Sequence, residues 1–355
     1  MSKVRCSAVV LVLVVLAATS LSPLLSGEQQ QVVDALQRQV VIERVPSRVV
    51  SLAPSITEIL ASLGLDNGIV GADGYSLGDW FMGVGEKLVK RGVVKVGEYW
   101  WSTVSVEKIL ELSPDLVLAD KGAHRPLLDA LEAYNLTVLF LNGGSANSVN
   151  DVYEDIYLVG RIFNNTVGAE YLIESIESAL TRGREELKAF HGVKVIIAVD
   201  FWQGVWVAGR ATYIDDILMK LGLLNAATTV GWSAVSVETI AKWNPDLIIV
   251  ACTYATWDLV EQSGLTRLGK PIVMLNSTEV DVISRPGPLL ARTPEVLYNA
   301  LVKGFANTTT TTTPPPSKST PAISDLTLLY LTIPLAAVLG VVVGYYLGLK
   351  RAKKP

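Results

Sequence analysis

Residues 105–119 read SVEKILELSPDLVLA, and residues 236–250 read SVETIAKWNPDLIIV. The two segments align without a gap. Each carries Ser-Val-Glu, an isoleucine, Pro-Asp-Leu and then an apolar run. The pattern predicts a short helix, a turn at the proline and a buried strand. Chance supplies Pro-Asp-Leu, but it rarely supplies the whole set in register, once in each half. The pair therefore predicts two lobes of like build rather than a short-period solenoid.

Working outward, short apolar stretches alternate with amphipathic ones. Residues 48–52 form a strand candidate that Pro54 breaks. Ser55-Ile-Thr-Glu58 has the capping-box pattern, with Ser55 covering a backbone N–H and Glu58 reaching back. Ile56, Ile59, Leu60 and Leu63 recur at helical spacing, and Gly64 suits the C-terminal stop. A strand returns at 69–72, which makes a βαβ unit and implies a parallel sheet. Further strands are expected at 116–119 and 138–141, then at 193–199, 247–251 and 272–275, with a helix over 213–221. Between the halves, helical spacing runs through Val152, Ile156 and Val159 to Phe163 and pauses at Asn164-Asn165. It resumes over 166–188 with Tyr171, Leu172, Ile176 and Leu180 on one stripe. At about 1.5 Å per residue that helix reaches roughly 33 Å, enough to bridge two lobes.

The ends differ from the body. Lys3 and Arg5, an uncharged run over 8–18 and small residues to Gly27 follow the order of a secretory signal peptide, assigned to 1–27. A retained N-terminal anchor is the alternative. Cys6 precedes the apolar run, unlike a lipoprotein cysteine, and its removal leaves Cys252 without a disulfide partner. Residues 307–322 are rich in threonine and proline and form an extended stalk. Residues 323–349 are expected to form a transmembrane helix. Their uncharged stretch, 326–349, spans roughly 36 Å as a helix. The basic tail at 350–355 places the C-terminus on the cytoplasmic side and the body outside the cell membrane. The body divides into an N-terminal lobe (28–151), connecting helices (152–190) and a C-terminal lobe (191–306).

Several function classes are disfavoured. Among 355 residues the net charge of −4 gives a nucleic-acid partner no electrostatic support. There is no GxxxxGK[ST] phosphate loop and no GxSxG elbow. The two histidines, His124 and His191, lie in different segments, without a cysteine cluster or an HExxH helix. The chain is expected not to be an enzyme and to hold no cofactor of its own. A metal arrives inside its chelate; His124 follows a strand and is a candidate axial ligand or a surface loop histidine.

The segments RVVSLAPSITEIL (48–60), VGADGYS (70–76), KVG (95–97), 106–119, GRATYIDD (209–216), Gly231-Trp232 and 237–250 together resemble the cobalamin- and ferric-siderophore-binding family of ABC-importer substrate-binding proteins. The resemblance covers roughly 32–304. It implies an α/β fold of two lobes with parallel-rich sheets, joined by one long rigid helix, with the C-terminal transmembrane helix added here. It implies a corrinoid or a ferric-siderophore or haem-type chelate bound between the lobes. It also implies delivery to an ABC permease dimer with its ATPase subunits. By the family motif Glu107 and Glu238 dock on permease arginines. Carboxylate–guanidinium pairs fix orientation as well as attraction, although a first-turn acid also suits the helix dipole.

The cleft belongs at the carboxyl ends of the parallel strands. Tyr75, Trp80, Tyr99, Trp100, Trp202, Trp232 and Tyr254 gather in loops there, where stacking on a large ring would use them. Tyr75 and Trp232 match pocket-lining positions of the family. Arg285, in Ser-Arg-Pro-Gly-Pro, resembles the last cleft loop and offers a partner for a ligand carboxylate or phosphate; Arg210 and Lys121 are weaker candidates of that kind. Asp120 stands where some relatives place an aromatic. The alternative function is a membrane-anchored cell-surface ligand sensor that uses the same two-lobe fold.

Overall fold

A computed structural model describes residues 29–306. The expected signal peptide, stalk, transmembrane helix and basic tail lie outside the described residues. Among the described residues no helix is long and apolar enough to cross a membrane.

The chain opens with an antiparallel hairpin, β1 (Gln30–Val33) and β2 (Gln39–Ile42), which sequence periodicity did not reveal. The N-terminal lobe follows with β3 (Val49–Ser51), α1 (Pro54–Ser62), β4 (Ile69–Asp73), α2 (Gly74–Leu77), α3 (Val84–Lys90) and β5 (Val94–Gly97). It continues with α4 (Val106–Glu111), β6 (Leu116–Asp120), α5 (Lys121–His124), α6 (Leu128–Ala133) and β7 (Val138–Leu141). Its sheet is wholly parallel, in the order β5-β4-β3-β6-β7. Helices α7 (Val149–Ile162) and α8 (Thr166–Glu186) then lead out of the lobe.

The C-terminal lobe comprises β8 (Lys194–Asp200), β9 (Val205–Ala208), α9 (Tyr213–Lys220), β10 (Leu224–Asn225), β11 (Trp232–Val235), α10 (Val237–Trp243) and β12 (Leu247–Val250). It ends with α11 (Trp257–Ser263), β13 (Ile272–Met274), α12 (Ser277–Ser284) and α13 (Thr293–Ala306). The sheet order is β11-β9-β8-β12-β13, with β10 also on β8; β9 and β11 are antiparallel and the rest parallel.

The Ser-Val-Glu repeats occupy equivalent places. Each feeds the fourth strand of a five-strand path, β6 or β12. Ser105 and Ser236 cap α4 and α10, accepting from Lys108 N and Thr239 N. Ile109 and Ile240 are fully buried against the outer face of their sheets. Ser113 and Asn244, each just before the proline, take left-handed φ values of 45° and 48°. The motif aspartates clasp the neighbouring strand. Asp115 accepts Arg48 N at 3.0 Å, and Asp246 accepts Lys194 N at 2.9 Å.

Alternation along the strands separates the cores. Val49, Val195, Ile197, Leu247 and Ile249 enter one central apolar cluster that also takes residues of α7, α8 and α13 from both lobes. Val50 turns to the outer core of the N-terminal lobe, and Ile196 and Ile248 turn to that of the C-terminal lobe. The lobes thus share an apolar core along the connecting helices.

Asn164, with φ of 54°, ends α7, and the Asn165 side chain caps α8 by accepting from Gly168 N. Helix α8 is about 32 Å long and packs on α7 at one end and on α9, α13 and Pro288–Arg292 of the second lobe.

One expectation is corrected. Strand β3 ends before Pro54 as expected, but Ser55 does not cap the helix: Pro54 opens α1, whose N-cap is Ala53 without a side-chain cap. A proline at the first helical position needs no N–H partner and has its φ already set. Ser55 is inside the helix and buried, and Glu58 turns away to Arg285. The capping box present in the fold is Asn276 with Glu279, at the start of α12.

Gly183 of α8 lies against α13; a Cβ there would sit 2.3 Å from Pro294 Cβ. Overpacking of that kind costs about 1–3 kcal/mol. Gly183→Ala is therefore expected to lower the unfolding free energy by that amount, read as a lower urea midpoint at unchanged slope, without changing secondary structure by circular dichroism.

Candidate functional site

Strand β6 ends at Asp120, which is buried. One oxygen accepts Gly122 N (2.7 Å) and Ala123 N (3.2 Å), capping α5. The other accepts the Tyr99 hydroxyl (2.8 Å) and Gly144 N (2.7 Å). Three loops at the carboxyl ends of the sheet are thereby tied to one carboxylate. The 142–146 loop is held from beneath by Asp155 of α7, which accepts Asn142 N at 2.8 Å and Gly143 N at 2.9 Å. Burial pushes the Asp155 carboxyl up to about 7, against the pull of those N–H groups. Asp73, closing β4, is pushed up to about 6 by the same cause while accepting from Ser76 and from Tyr75 N.

The second lobe meets this floor directly. The Trp232 indole, on β11, donates to Gly144 O at 3.0 Å. Tyr213 N, at the start of α9, donates to Ala146 O at 3.0 Å, and Val149 N donates to Asp216 at 2.9 Å. The Tyr213 and Trp232 rings are 6.0 Å apart. Tyr99 and Trp232 therefore converge on one loop, from opposite lobes.

Trp80 and Arg285 are also brought together, in an ionic strut between the lobes. The Arg285 guanidinium pairs with Glu58 (2.7 Å), Asp79 (3.0 Å) and Asp281 (2.9 Å), and the Trp80 indole donates to Asp281 at 2.8 Å. Glu58 and Asp79 have no side-chain exposure, and one oxygen of each has no hydrogen-bond partner. Burial pushes the Glu58 carboxyl well above the usual carboxylate range, partly offset by Arg285. The arginine expected to meet a ligand anion thus holds three carboxylates of its own chain.

The remaining aromatics form smaller groups. The Tyr254 hydroxyl donates to Asp200 at the end of β8 (2.5 Å), which also accepts Trp202 N (2.7 Å). Tyr75, expected in a loop, stands exposed in α2, directly after β4, and Trp100 stands exposed in the loop after β5, edge-on to Tyr99. Lys121 donates to Asn142 at 2.9 Å, and Arg210 is exposed. His124 is buried: its Nδ1 accepts Asp120 N (3.0 Å), so Nε2 carries the proton and donates to Tyr99 O (2.6 Å). Both ring nitrogens are engaged, and burial lowers the ring's affinity for a second proton. Among the described residues no group of three or more His, Cys, Asp or Glu forms a metal site.

Glu107 and Glu238 are exposed in the first turns of α4 and α10. Each helix runs back to a strand, so its first turn lies at the carboxyl-end level of its sheet. The first-turn backbone N–H and Ser105 hold Glu107 below the usual range; Ser236 and the backbone do so for Glu238. Both stay charged. Beside Glu238 a cavity of about 650 Å³ opens between the β8–β9 hairpin, α10 and α11, lined by Val237, Leu259 and Arg267 among others.

Residues 49–271 match the model of the family described as periplasmic binding protein. The chain belongs to the periplasmic binding protein family. It is 30% identical over 276 residues (76% of this chain, 84% of the relative) to the ABC transporter substrate-binding lipoprotein YvrC of Bacillus subtilis. It is 24% identical over 274 residues (73% and 90%) to the vitamin B12-binding protein of Pectobacterium atrosepticum. A periplasmic heme binding protein from Pseudomonas aeruginosa superposes with a TM-score of 0.59 at 22% identity, over 74% of this chain and 93% of that one, a likeness of fold. These relatives are binding and transport proteins, and this chain has the build of an ABC-transporter substrate-binding component.

In this periplasmic binding protein, sequence reasoning missed the buried acids that shape the floor. One signal was available. Asp73, Asp120 and Asp200 each close an apolar strand, where an aspartate can cap the turn that follows.

Asp155 binds its proton more readily folded than unfolded. Its contribution to stability therefore falls as pH rises from about 4 to about 7. The stability advantage of the wild type over Asp155→Asn is expected to be larger at about pH 5 than at about pH 8, as urea midpoints would report.

Proposed function

We propose that the chain captures a corrinoid or ferric chelate between its lobes and delivers it to an ABC permease dimer. In this reading the body lies outside the cell membrane, tethered by residues 323–349, with the C-terminus cytoplasmic. The observation that carries the proposal is the convergence of Tyr99 and Trp232 on the Gly144 loop, from opposite lobes and at the strand ends. The exposed rings of Tyr75, Trp100, Trp202 and Tyr254 offer faces for a large, partly apolar ligand. The vitamin B12-binding and heme-binding relatives point the same way. The charged acids Glu107 and Glu238, set alike on the two lobes, suit two arginine contacts on a dimeric permease.

Tryptophan fluorescence of the full chain in detergent, titrated with cyanocobalamin, ferrichrome and hemin, tests the capture step. Quenching by at least one is expected. Trp232→Ala should weaken that binding roughly ten- to a hundredfold, through loss of a ring contact worth on the order of 1.5–3 kcal/mol. No response to any of the three sinks the proposal.

Delivery is tested by uptake of the bound ligand in cells. Changing Glu107 and Glu238 together to arginine should abolish uptake while leaving ligand affinity as it was. Unchanged uptake favours a surface sensor.

A further inference from the structure

Chelates differ in what they ask of a protein. The cobalt of cyanocobalamin and the iron of a hexadentate siderophore bring a full ligand set. Ferric haem leaves axial positions that take a protein donor such as His, Cys or Tyr.

The floor between the lobes answers that difference through particular bonds. The imidazole of His124 uses both nitrogens on backbone groups. The Tyr213 hydroxyl is buried and donates to Ile283 O at 3.1 Å. On the floor itself that leaves Tyr99, whose hydroxyl lies next to the Gly144 loop that Trp232 contacts. Its proton points at Asp120, 2.8 Å away. Asp120 cannot release it cheaply, because the same oxygen also accepts Gly144 N and the other oxygen caps α5. Ionising the phenol would set two negative oxygens at hydrogen-bond distance with little water between them, a repulsive arrangement. Burial first, and then Asp120, push the Tyr99 phenol well above its ordinary value.

We propose that Asp120 is a specificity residue: by accepting the Tyr99 proton it keeps that ring a neutral phenol and denies ferric haem a tyrosinate from the floor, which favours coordinatively saturated chelates. The inference rests on the chelate-binding reading above and narrows it. Asp120 acts through Tyr99 and is a positioning residue.

The consequence is a gain of function. In Asp120→Asn the negative charge is gone. An amide Oδ1 can still cap α5, while its Nδ2 donates to the Tyr99 oxygen and Gly144 N loses its acceptor. On meeting ferric iron the phenol can then lose its proton to solvent and coordinate as phenolate.

The test uses the full chain in detergent, with hemin and cyanocobalamin or ferrichrome as probes, read by visible absorption. The wild type is expected to bind a saturated chelate and to give no phenolate-to-iron charge-transfer band with hemin. Asp120→Asn should acquire the band and bind hemin at least roughly tenfold more tightly, the equivalent of one unit of phenol acidity. Adding Tyr99→Phe should remove both gains. A charge-transfer band in the wild type that Tyr99→Phe removes overturns the inference while leaving chelate capture standing. So does a folded Asp120→Asn protein, checked by circular dichroism, that gains no band. Failure of the wild type to bind any probe overturns the capture reading itself, and this inference with it.

Discussion

A carboxylate taken out of water must be matched by donors or take up a proton. Asp120, 1% exposed, is the place where that requirement organises the molecule. Its four donors come from α5, from the loop after β5 and from the loop after β7. Those loops are separate in sequence, and His124 to Tyr99 O and Lys121 to Asn142 are further bonds between them. Once they are tied, the Gly144 carbonyl is left facing the second lobe, where the Trp232 indole finds it. The floor and the Trp232 contact are therefore tied to one buried acid.

The same rule works at the opposite side of the N-terminal sheet. There Glu58, after β3, and Asp79, after β4, reach Arg285 of the second lobe. The Trp232 contact is made after β7, three strand positions from β4 in the sheet. At about 4.8 Å per strand, the two bridges are roughly 14 Å apart. Two fastenings across the sheet, together with a shared apolar core along α7 and α8, resist rotation about any single hinge. Wide closure of one lobe on the other is correspondingly opposed.

Much of this was legible in the sequence, for identifiable reasons. The repeats and the alternation of apolar runs gave β3, β4, β6, β7, β8, β12 and β13 within a residue or two, because buried parallel strands read as short apolar runs. The pause at Asn164-Asn165 marked the break between α7 and α8. What was missed depends on pairing across distance. Strands β5, β9 and β11 are short and partly exposed, so their pattern is weak. At residues 55–58 the local capping pattern lost to a proline start and to a distant arginine, which drew Glu58 into the interior. Arg285 was read as a loop cation because its three carboxylate partners include two in the other lobe, at separations no local pattern records.

The repeats also isolate what packing does not explain. The serine caps its helix, the isoleucine fills the outer core, and the aspartate clasps the start of the central strand. The residue before the proline takes a left-handed conformation that closes the helix. Every one of these roles is internal to a lobe, and each would be needed whatever the protein did. The glutamates are different. Their side chains face solvent, and the helix ends they favour would accept an aspartate, or an acid one position along, equally well. That both lobes place glutamate at the same turn, charged and at the level where the cleft opens, is what favours a partner that reads the two lobes together.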